Sequence, residues 1–377
     1  MRILTFGLKS DLVGGIEAFA LLMARHTYDL GLRFDHVFLE KDSLIHGPAI
    51  EATGGRIFML PYYVRHPLGY LFGLCRLLRR RRVEVAAVYV HLFSLVHILP
   101  VIVARMMGMK VIVHAHNNDI QHRSAVYRLL NAAGKLLLSH CRCLRLSNSD
   151  ASTRFMLGSH HLDDTHIIYN AIEVERFAFD PAARRQLRRD WQAEGQTVVG
   201  YVGRLALQKN PLFALDVFSA FHARQPQSLL VMVGEGPLEP DVRRRIASLG
   251  LTDAVRLMGA RNDVARLYQA MDVLLTPSLF EGLGIVLVEA QTAGLPCLTT
   301  AETVPTLVDL TPLMARTSLH ADAATWADHL TDLAATDHGP RAPYAEAVAQ
   351  TRFHIQTEAR RFAAILQAYA EEPADRH

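Results

Sequence analysis

Pro277-Ser278-Leu279-Phe280-Glu281-Gly282-Leu283-Gly284-Ile285-Val286-Leu287-Val288-Glu289-Ala290 follows, after Thr276, on an apolar run, Met271 to Leu275. The run reads as a buried parallel strand, the two glycines as a turn, and Ile285 to Ala293 as a short helix. A strand, a glycine turn and a helix start together make an anion site. The first backbone N–H groups of a helix have no intrahelical partner and carry the positive end of its dipole. Glu281 stands just before the turn and Glu289 lies inside the helix, roughly 12 Å apart if the stretch between them were all helical. A carboxylate accepts two hydrogen bonds at once and so suits a vicinal diol. A diphosphate over the turn with a diol at each end describes a nucleotide sugar.

Working outward from this stretch, apolar runs alternate with helical patterns along the whole chain. Arg2 to Phe6, Phe34 to Leu39, Arg56 to Leu60, Val85 to Val90, Lys110 to Ala115 and Cys143 to Ser147 read as strands, and the set ends near Ile167-Ile168-Tyr169-Asn170. A charged stretch, Asp180 to Glu194, leads into a second set: Thr197 to Val202, Leu229 to Val233, Ala254 to Met258, Val273 to Leu275 and Cys297 to Thr299. Strands separated by helices need crossovers, so each set predicts a parallel, doubly wound sheet with ligands outside the carboxyl ends of its strands. The expectation is an α/β chain of two Rossmann-like domains facing across a cleft, residues 1–178 and 179–349. Pro343 to Ala370 reads as one long helical pattern, with about 350–377 packing back on the first domain.

The 377 residues suffice for two ordinary domains, half of them hydrophobic and a fifth charged. Cys75, Cys141, Cys143 and Cys297 make no CxxC pair and no disulfide framework, which fits a reducing cytosol. Cys141 and Cys143 beside His140 lack the second ligand pair of a zinc site. The chain opens directly into a strand pattern, and no secretory leader is expected. Val85 to Ala104 has no Asp, Glu, Lys or Arg and could span a bilayer. Histidines, Ser94 and Pro100 interrupt it, and it divides into a strand and a helix (Ser94 to Met107). The soluble reading is therefore preferred.

The net charge of +3 conceals an asymmetry. Residues 1–170 hold 20 Lys and Arg against 12 Asp and Glu, a balance of +8, and the remainder holds 20 against 25, a balance of −5. A basic half suggests an anionic partner. Arg76, Arg79, Arg80, Arg81 and Arg82 adjoin Leu71, Phe72, Leu74, Leu77 and Leu78. That is the pattern of a helix on an anionic membrane, or equally of a solvated helix end whose cations suit the dipole. No nucleic-acid partner is expected.

Phe280 to Pro296, FEGLGIVLVEAQTAGLP, resembles the Glu-x7-Glu segment of the family-4 retaining glycosyltransferases, which have the GT-B fold. Gly203-Arg204-Leu205 with Lys209-Asn210 resembles the family's Gly-Arg-Leu and Lys-Asn string. Physically, a fixed Arg and Lys can neutralise a departing diphosphate without a metal. In Val113-His114-Ala115-His116, strand alternation puts both histidines on one face. The resemblance makes His116, nearer the strand end, the one beside the reacting sugar. Gly14-Gly15-Ile16-Glu17 resembles the family's first glycine loop, whose amides lie against the donor phosphate and the acceptor entrance. It does not match GxGxxG, which counts against a dinucleotide dehydrogenase.

Val233-Gly234-Glu235-Gly236 and Val255-Arg256-Leu257-Met258-Gly259 resemble the family's next two strand ends, with Leu257 and Met258 reading the base. The resemblance implies a hexose moved with retention from a nucleoside diphosphate sugar, UDP-linked by preference, to a saccharide or lipid-linked hydroxyl in exopolysaccharide or other cell-surface glycan synthesis. His116, Arg204, Lys209 and Glu281 are the candidate catalytic residues. Gly203, Leu257, Met258, Gly282, Leu283, Gly284 and Glu289 would bind the donor, and Gly14 and Gly15 would form the acceptor and phosphate loop. No Asp-x-Asp occurs in the chain, so no metal or other cofactor is expected. The expected location is the cytoplasm, with a peripheral station at the inner face of the cell membrane. The alternatives are a nucleotide-sugar 2-epimerase of the same fold, and a non-catalytic nucleotide-sugar-binding protein.

Overall fold

Arg2–Phe6 (β1) sends Leu4 and Phe6 into one apolar core and Ile3 into another, so both of its faces are covered. This is how a central parallel strand must read. The computed structural model describes residues 1–9, 15–40, 44–96, 98–116 and 124–373. They form two compact units, Met1–Ala171 with Ile355–His377, and Ile172–His354.

The first unit contains β1, β2 (Arg33–Leu39), β3 (Ile57–Leu60), β4 (Ala87–Leu92), β5 (Val111–Ala115), β6 (Leu144–Ser147) and β7 (Thr165–Ile167). Their order is β3-β2-β1-β4-β5-β6-β7, parallel throughout. Two helix layers cover the sheet. Gly15–His26 and Ile355–Glu371 pack on one face through Phe19, Met23, Phe362 and Leu366. Pro67–Arg81, Leu99–Met106 and Ala125–Ser139 pack on the other through Leu74, Val101 and Leu138. Val85–Ala104 is thus a strand and a helix, and among the described residues no helix is long and apolar enough to cross a membrane.

The second unit holds β8 (Thr197–Val202), β9 (Ser228–Val233), β10 (Val255–Leu257), β11 (Val273–Thr276), β12 (Cys297–Thr300) and β13 (Met314–Thr317), in the order β10-β9-β8-β11-β12-β13. Again every pairing is parallel. Strand β13 went unread because Met-Ala-Arg-Thr is a short, mixed edge strand. Both sheets reverse direction once, between β1 and β4 and between β8 and β11. At such a point two loops leave the carboxyl edge in opposite directions and open a crevice.

Three sequence expectations need correcting. The units divide at 171/172 and 354/355, not at 178/179 and 349/350. The helix Val174–Phe177 packs on the helices Val264–Ala270, Ile285–Thr292 and Pro343–Ala349, and Ile172 bridges His354. The long terminal pattern is two helices, Pro343–Ala349 and Ile355–Glu371. Thr351 ends the first: its hydroxyl donates to the Val348 carbonyl and accepts from the Phe353 amide. Finally, His160, His161 and His166 read in the sequence as loop surface, but His161 is buried, with Nδ1 2.9 Å from Asp164.

Two of the four arginines in the charged stretch also have a place. Arg184 and Arg188, on the helix Pro181–Asp190, both grip Asp272, whose Oδ2 accepts the Val198 amide at 2.8 Å. The arginines pull the Asp272 pKa below the ordinary carboxylate range although burial opposes them. This clamp fixes the amino-terminal ends of β8 and β11, the edge opposite the crevice.

Candidate active site

At the β8 end, backbones approach too closely for side chains. A Cβ on Gly234 would lie 2.1 Å from the Gly203 carbonyl oxygen, and one on Gly236 2.4 Å from that of Leu205. The Leu205 amide donates to the Glu235 carbonyl. The loops after β8 and β9 are therefore locked together, and Gly203 is held between Val202 and the exposed Arg204. A short turn, Leu207–Lys209, follows, and Asn210 at φ +51° starts the helix Pro211–Arg224.

This turn delivers Lys209 to Glu281. Its Nζ stands 2.5 Å from Glu281 Oε1, and the Ser278 hydroxyl donates to the same oxygen at 2.7 Å. The loop carrying Glu281 is held in turn. The Thr300 and Thr303 hydroxyls both donate to the Ser278 carbonyl at 2.8 Å, and the Glu281 amide donates to Thr303. Glu281 is buried, so its charge sits in a fixed frame of one cation and one hydroxyl.

Beyond Glu281 the chain turns through Gly282-Leu283-Gly284. Gly284, at φ +79°, is the N-cap of the helix Ile285–Thr292. A Cβ at Gly282 would meet nothing within 4 Å. Among the described residues no acceptor takes the amides of Gly282, Leu283 or Gly284. Three donors on the positive end of a helix, next to a lysine and an exposed arginine, can hold a diphosphate.

Glu289 projects from the second turn of the helix Ile285–Thr292 onto Tyr268, whose hydroxyl donates to Oε2 at 2.9 Å. Burial lifts its pKa from the usual 4.5 to about 7, against the Tyr268 bond and the Arg176 charge. Leu257 ends β10, and the Met258 amide is taken by the Met232 carbonyl at 2.9 Å. Base reading through that amide is therefore closed, and a carbonyl is what this edge can offer.

The first unit's crevice has different chemistry. Gly7, at φ +96°, lies so close to β4 that a Cβ would sit 2.3 Å from the His91 carbonyl oxygen. Close approach thus belongs to Gly7 and not to Gly15, whose Cβ position is open at the start of its helix. Gly14 lies outside the described residues. His91 and His114 are register partners on β4 and β5, with His116 two residues on. His91 Nδ1 is 2.9 Å from His116 Nε2, and His114 Nδ1 is 2.6 Å from the Tyr89 hydroxyl. Burial drives all three pKa values down, His116 to about 3, so the cluster is neutral at physiological pH.

Ligand-capable atoms of the three histidines lie within 4.8 Å of one another, so they could hold a metal ion. Beside them, Phe6, Leu39, Leu60, Tyr63 and Phe93 line a cavity of about 220 Å³.

Sequence reasoning missed Ser278 as a partner of Glu281, Tyr268 as the partner of Glu289, and His91. Only His91 left a signal: a histidine near the end of an apolar strand adjacent to the His-Ala-His strand. Glu17, buried and accepting the Lys9 amide at 3.0 Å, was read only as part of the glycine loop.

Comparison with known proteins bears on this geometry. Residues 183–308 match the family model described as glycosyl transferases group 1. A Bacillus subtilis (strain 168) protein named as a glycosyltransferase, EpsF, is 27% identical over 353 residues, covering 91% of this chain and 90% of its own. The UDP-Gal:alpha-D-GlcNAc-diphosphoundecaprenol alpha-1,3-galactosyltransferase of Escherichia coli is 28% identical over 262 residues, covering 64% of this chain and 65% of its own. Among solved structures, Anabaena HepE in complex with UDP superposes with a TM-score of 0.77 at 20% identity, over 98% of this chain and 100% of that one. WaaG, a glycosyltransferase involved in lipopolysaccharide biosynthesis, superposes at 0.71 and 18%, over 97% and 99%. Residues 183–308 thus match the glycosyl transferases group 1 model, within a chain that has the GT-B fold.

Proposed function

We propose that the protein transfers a hexose from a UDP-sugar, with retention and without a metal, to a saccharide or lipid-linked hydroxyl during cell-surface glycan synthesis. The observation that carries the reading is the Lys209–Glu281–Ser278 frame beside three unclaimed amides at the β8/β11 crevice. The donor diphosphate lies on the Gly282-Leu283-Gly284 amides, with Lys209 and Arg204 neutralising the charge that grows as the sugar–phosphate bond breaks. Glu281 accepts hydrogen bonds from sugar hydroxyls, and Glu289 from the ribose diol. As the sugar–phosphate bond breaks, the departing phosphate oxygen takes the proton of the acceptor hydroxyl, whose own oxygen bonds the anomeric carbon from the same face. No side-chain nucleophile is then required.

HepE has been crystallised with UDP-glucose, and the Escherichia coli relative is named for a UDP-linked donor and a diphosphoundecaprenol-linked acceptor. Both support a UDP-sugar donor here, and the second a lipid-linked acceptor. The first unit is assigned the acceptor, with the 220 Å³ cavity as its apolar subsite and His116 bonding the donor sugar. The enzyme would work at the inner face of the cell membrane. Arg76, Arg79, Arg80 and Arg82 are exposed for that purpose, while Arg81 is tied to Glu84 at 2.8 Å.

The test is transfer from radiolabelled UDP-sugars to membrane lipid extract with chelator present. Transfer that survives chelator and disappears in Glu281→Gln supports the reading. Strict dependence on added metal, or release of UDP with an epimerised free sugar and no acceptor, would overturn it.

A further inference from the structure

The helix Ala125–Ser139 is built inside out. Its inward residues are Asn131, Gly134 and Leu138. Asn131 Oδ1 accepts the Leu95 amide at 2.8 Å, and its Nδ2 donates to the Tyr127 carbonyl at 3.0 Å. A Cβ on Gly134 would stand 2.2 Å from the Leu95 carbonyl oxygen, so the helix rests directly on backbone there. Lys135 is also committed, donating to the Phe155 carbonyl at 2.9 Å. These contacts fix the rotation of the helix.

The outward face is consequently apolar. Val126 is 66% exposed, Leu129 71%, Leu130 46%, Leu136 63% and Leu137 55%. At 100° per residue they fall in an arc of about 120°, and they run about 17 Å along the axis. Met106 and the pair Leu68 and Phe72, at the exposed ends of the two neighbouring helices, belong to the same layer over the same sheet face. The opposite layer, Gly15–His26 with Ile355–Glu371, exposes no large apolar side chain. A patch of this kind is not ordinary surface.

Charge decides what covers it. Ser124 to Ser149 contains no Asp or Glu, and neither does Pro67 to Val83. Arg128 and Arg142 are exposed at the ends of the leucine face, as are Arg76, Arg79 and Arg80 on the neighbouring helix. A second copy docked about a twofold axis would bring these cations against themselves. An anionic bilayer offers both an apolar interior for the leucines and negative headgroups for the arginines.

We infer that the Val126–Leu137 face of this helix is the main contact with an anionic membrane surface, with Leu68 and Phe72 as its second point. This deepens the membrane partner proposed above and does not rest on the transfer chemistry. The Arg76–Arg82 cluster then supplies attraction, and the leucines supply insertion. Orientation follows as well: the sheet lies with its three-helix layer toward the lipid.

The full chain is to be tested by flotation with vesicles of phosphatidylcholine containing 30% phosphatidylglycerol, and with phosphatidylcholine alone. Wild type should float with the anionic vesicles and only weakly with the neutral ones. Leu129→Asp with Leu136→Asp should lower anionic binding at least tenfold. The control Leu307→Asp, at an exposed position of the second unit, should leave it unchanged. Both changes lie on the surface, so melting temperature and UDP-sugar hydrolysis should match wild type. Failure of the wild type to float, or full binding by the double variant, overturns the proposal. So does a concentration-dependent dimer in lipid-free buffer that the same variant abolishes, which would make the face a subunit contact. A soluble-acceptor transfer assay run in parallel reads the enzymatic proposal separately.

Discussion

The two sheets share one winding, with a single reversal of strand order, yet their carboxyl edges carry opposite chemistry. The β8/β11 edge is charged and rich in donors: Lys209 and Ser278 hold one buried carboxylate, and its loops also carry the exposed Arg204 and the amides of Gly282, Leu283 and Gly284. At the β1/β4 edge burial keeps the histidines unprotonated, beside an aromatic and aliphatic cavity that Lys9 also lines. The fold positions a crevice, and loop residues alone decide what it can hold. A diphosphate needs fixed positive charge, which Lys209, anchored on Glu281, supplies at the second edge. A sugar hydroxyl or an apolar aglycone needs neutral acceptors and apolar walls, which the first supplies.

The division breaks most sharply at Glu281. Glu281→Gln removes the charge that Lys209 and Ser278 share and should lower kcat about 1000-fold, roughly 4 kcal/mol. Lys209→Ala should cost about 100-fold and Arg204→Ala about 10-fold, because Lys209 is anchored and Arg204 is exposed. The check is initial-rate transfer with saturating UDP-sugar. Effects within about threefold for both cations would mean that the leaving diphosphate is held elsewhere.

The far edge of the same sheet offers a contrast between stability and chemistry. Asp272→Ala leaves Arg184 and Arg188 facing each other without their carboxylate and frees the Val198 amide. Unfolding free energy should fall by about 3 kcal/mol, read from urea denaturation. The kcat of the remaining folded protein should stay within twofold. A large loss of kcat at unchanged stability would mean that the clamp also shapes the crevice.

Much of this was legible in the residues because the two sheets leave strong local marks. Buried parallel strands are unbroken apolar runs, and Glu281 to Gly284 sits between one such run and a helix. Partners that come from distant segments were not legible. Ser278 lies three residues from Glu281, but only the loop geometry imposed by Thr300 and Thr303 turns it inward. Tyr268 reaches Glu289 from another helix. The leucine face of Ala125–Ser139 reads in sequence as an ordinary amphipathic core helix. Asn131 and Gly134 reverse it, and reading that requires knowing that Leu95 backbone lies beneath them.

Glu289 joins the two themes, since burial gives it a cost in stability and a use in binding. Its folded pKa is about 7 against an ordinary 4.5, so folding favours the protonated form. That contribution is complete below pH 4.5 and is lost as pH rises through about 7. Above that, ionising the buried carboxyl costs about 3 kcal/mol. Glu289→Gln should therefore raise the melting temperature at pH 8, with the gain vanishing toward pH 4.5, and should weaken UDP binding by titration calorimetry. An equal gain at both pH values would point to packing and not ionisation.

The same shift lets a pH profile assign roles to the two edges. If Glu289 grips the ribose diol as proposed, donor capture needs its ionised form, and kcat/KM for the UDP-sugar should rise with pH through a midpoint near 7. His116 stays neutral above about pH 3 and should contribute no limb between pH 5 and 9. His116→Ala should then lower kcat about tenfold by losing one hydrogen bond, roughly 1.4 kcal/mol, with the limb unmoved. Glu289→Gln should abolish the limb. If instead the limb vanished in His116→Ala and persisted in Glu289→Gln, the titrating group would belong to the first unit. The neutral edge would then be doing proton chemistry, and the contrast between the two crevices would have to be redrawn with the histidine cluster as an acid–base site.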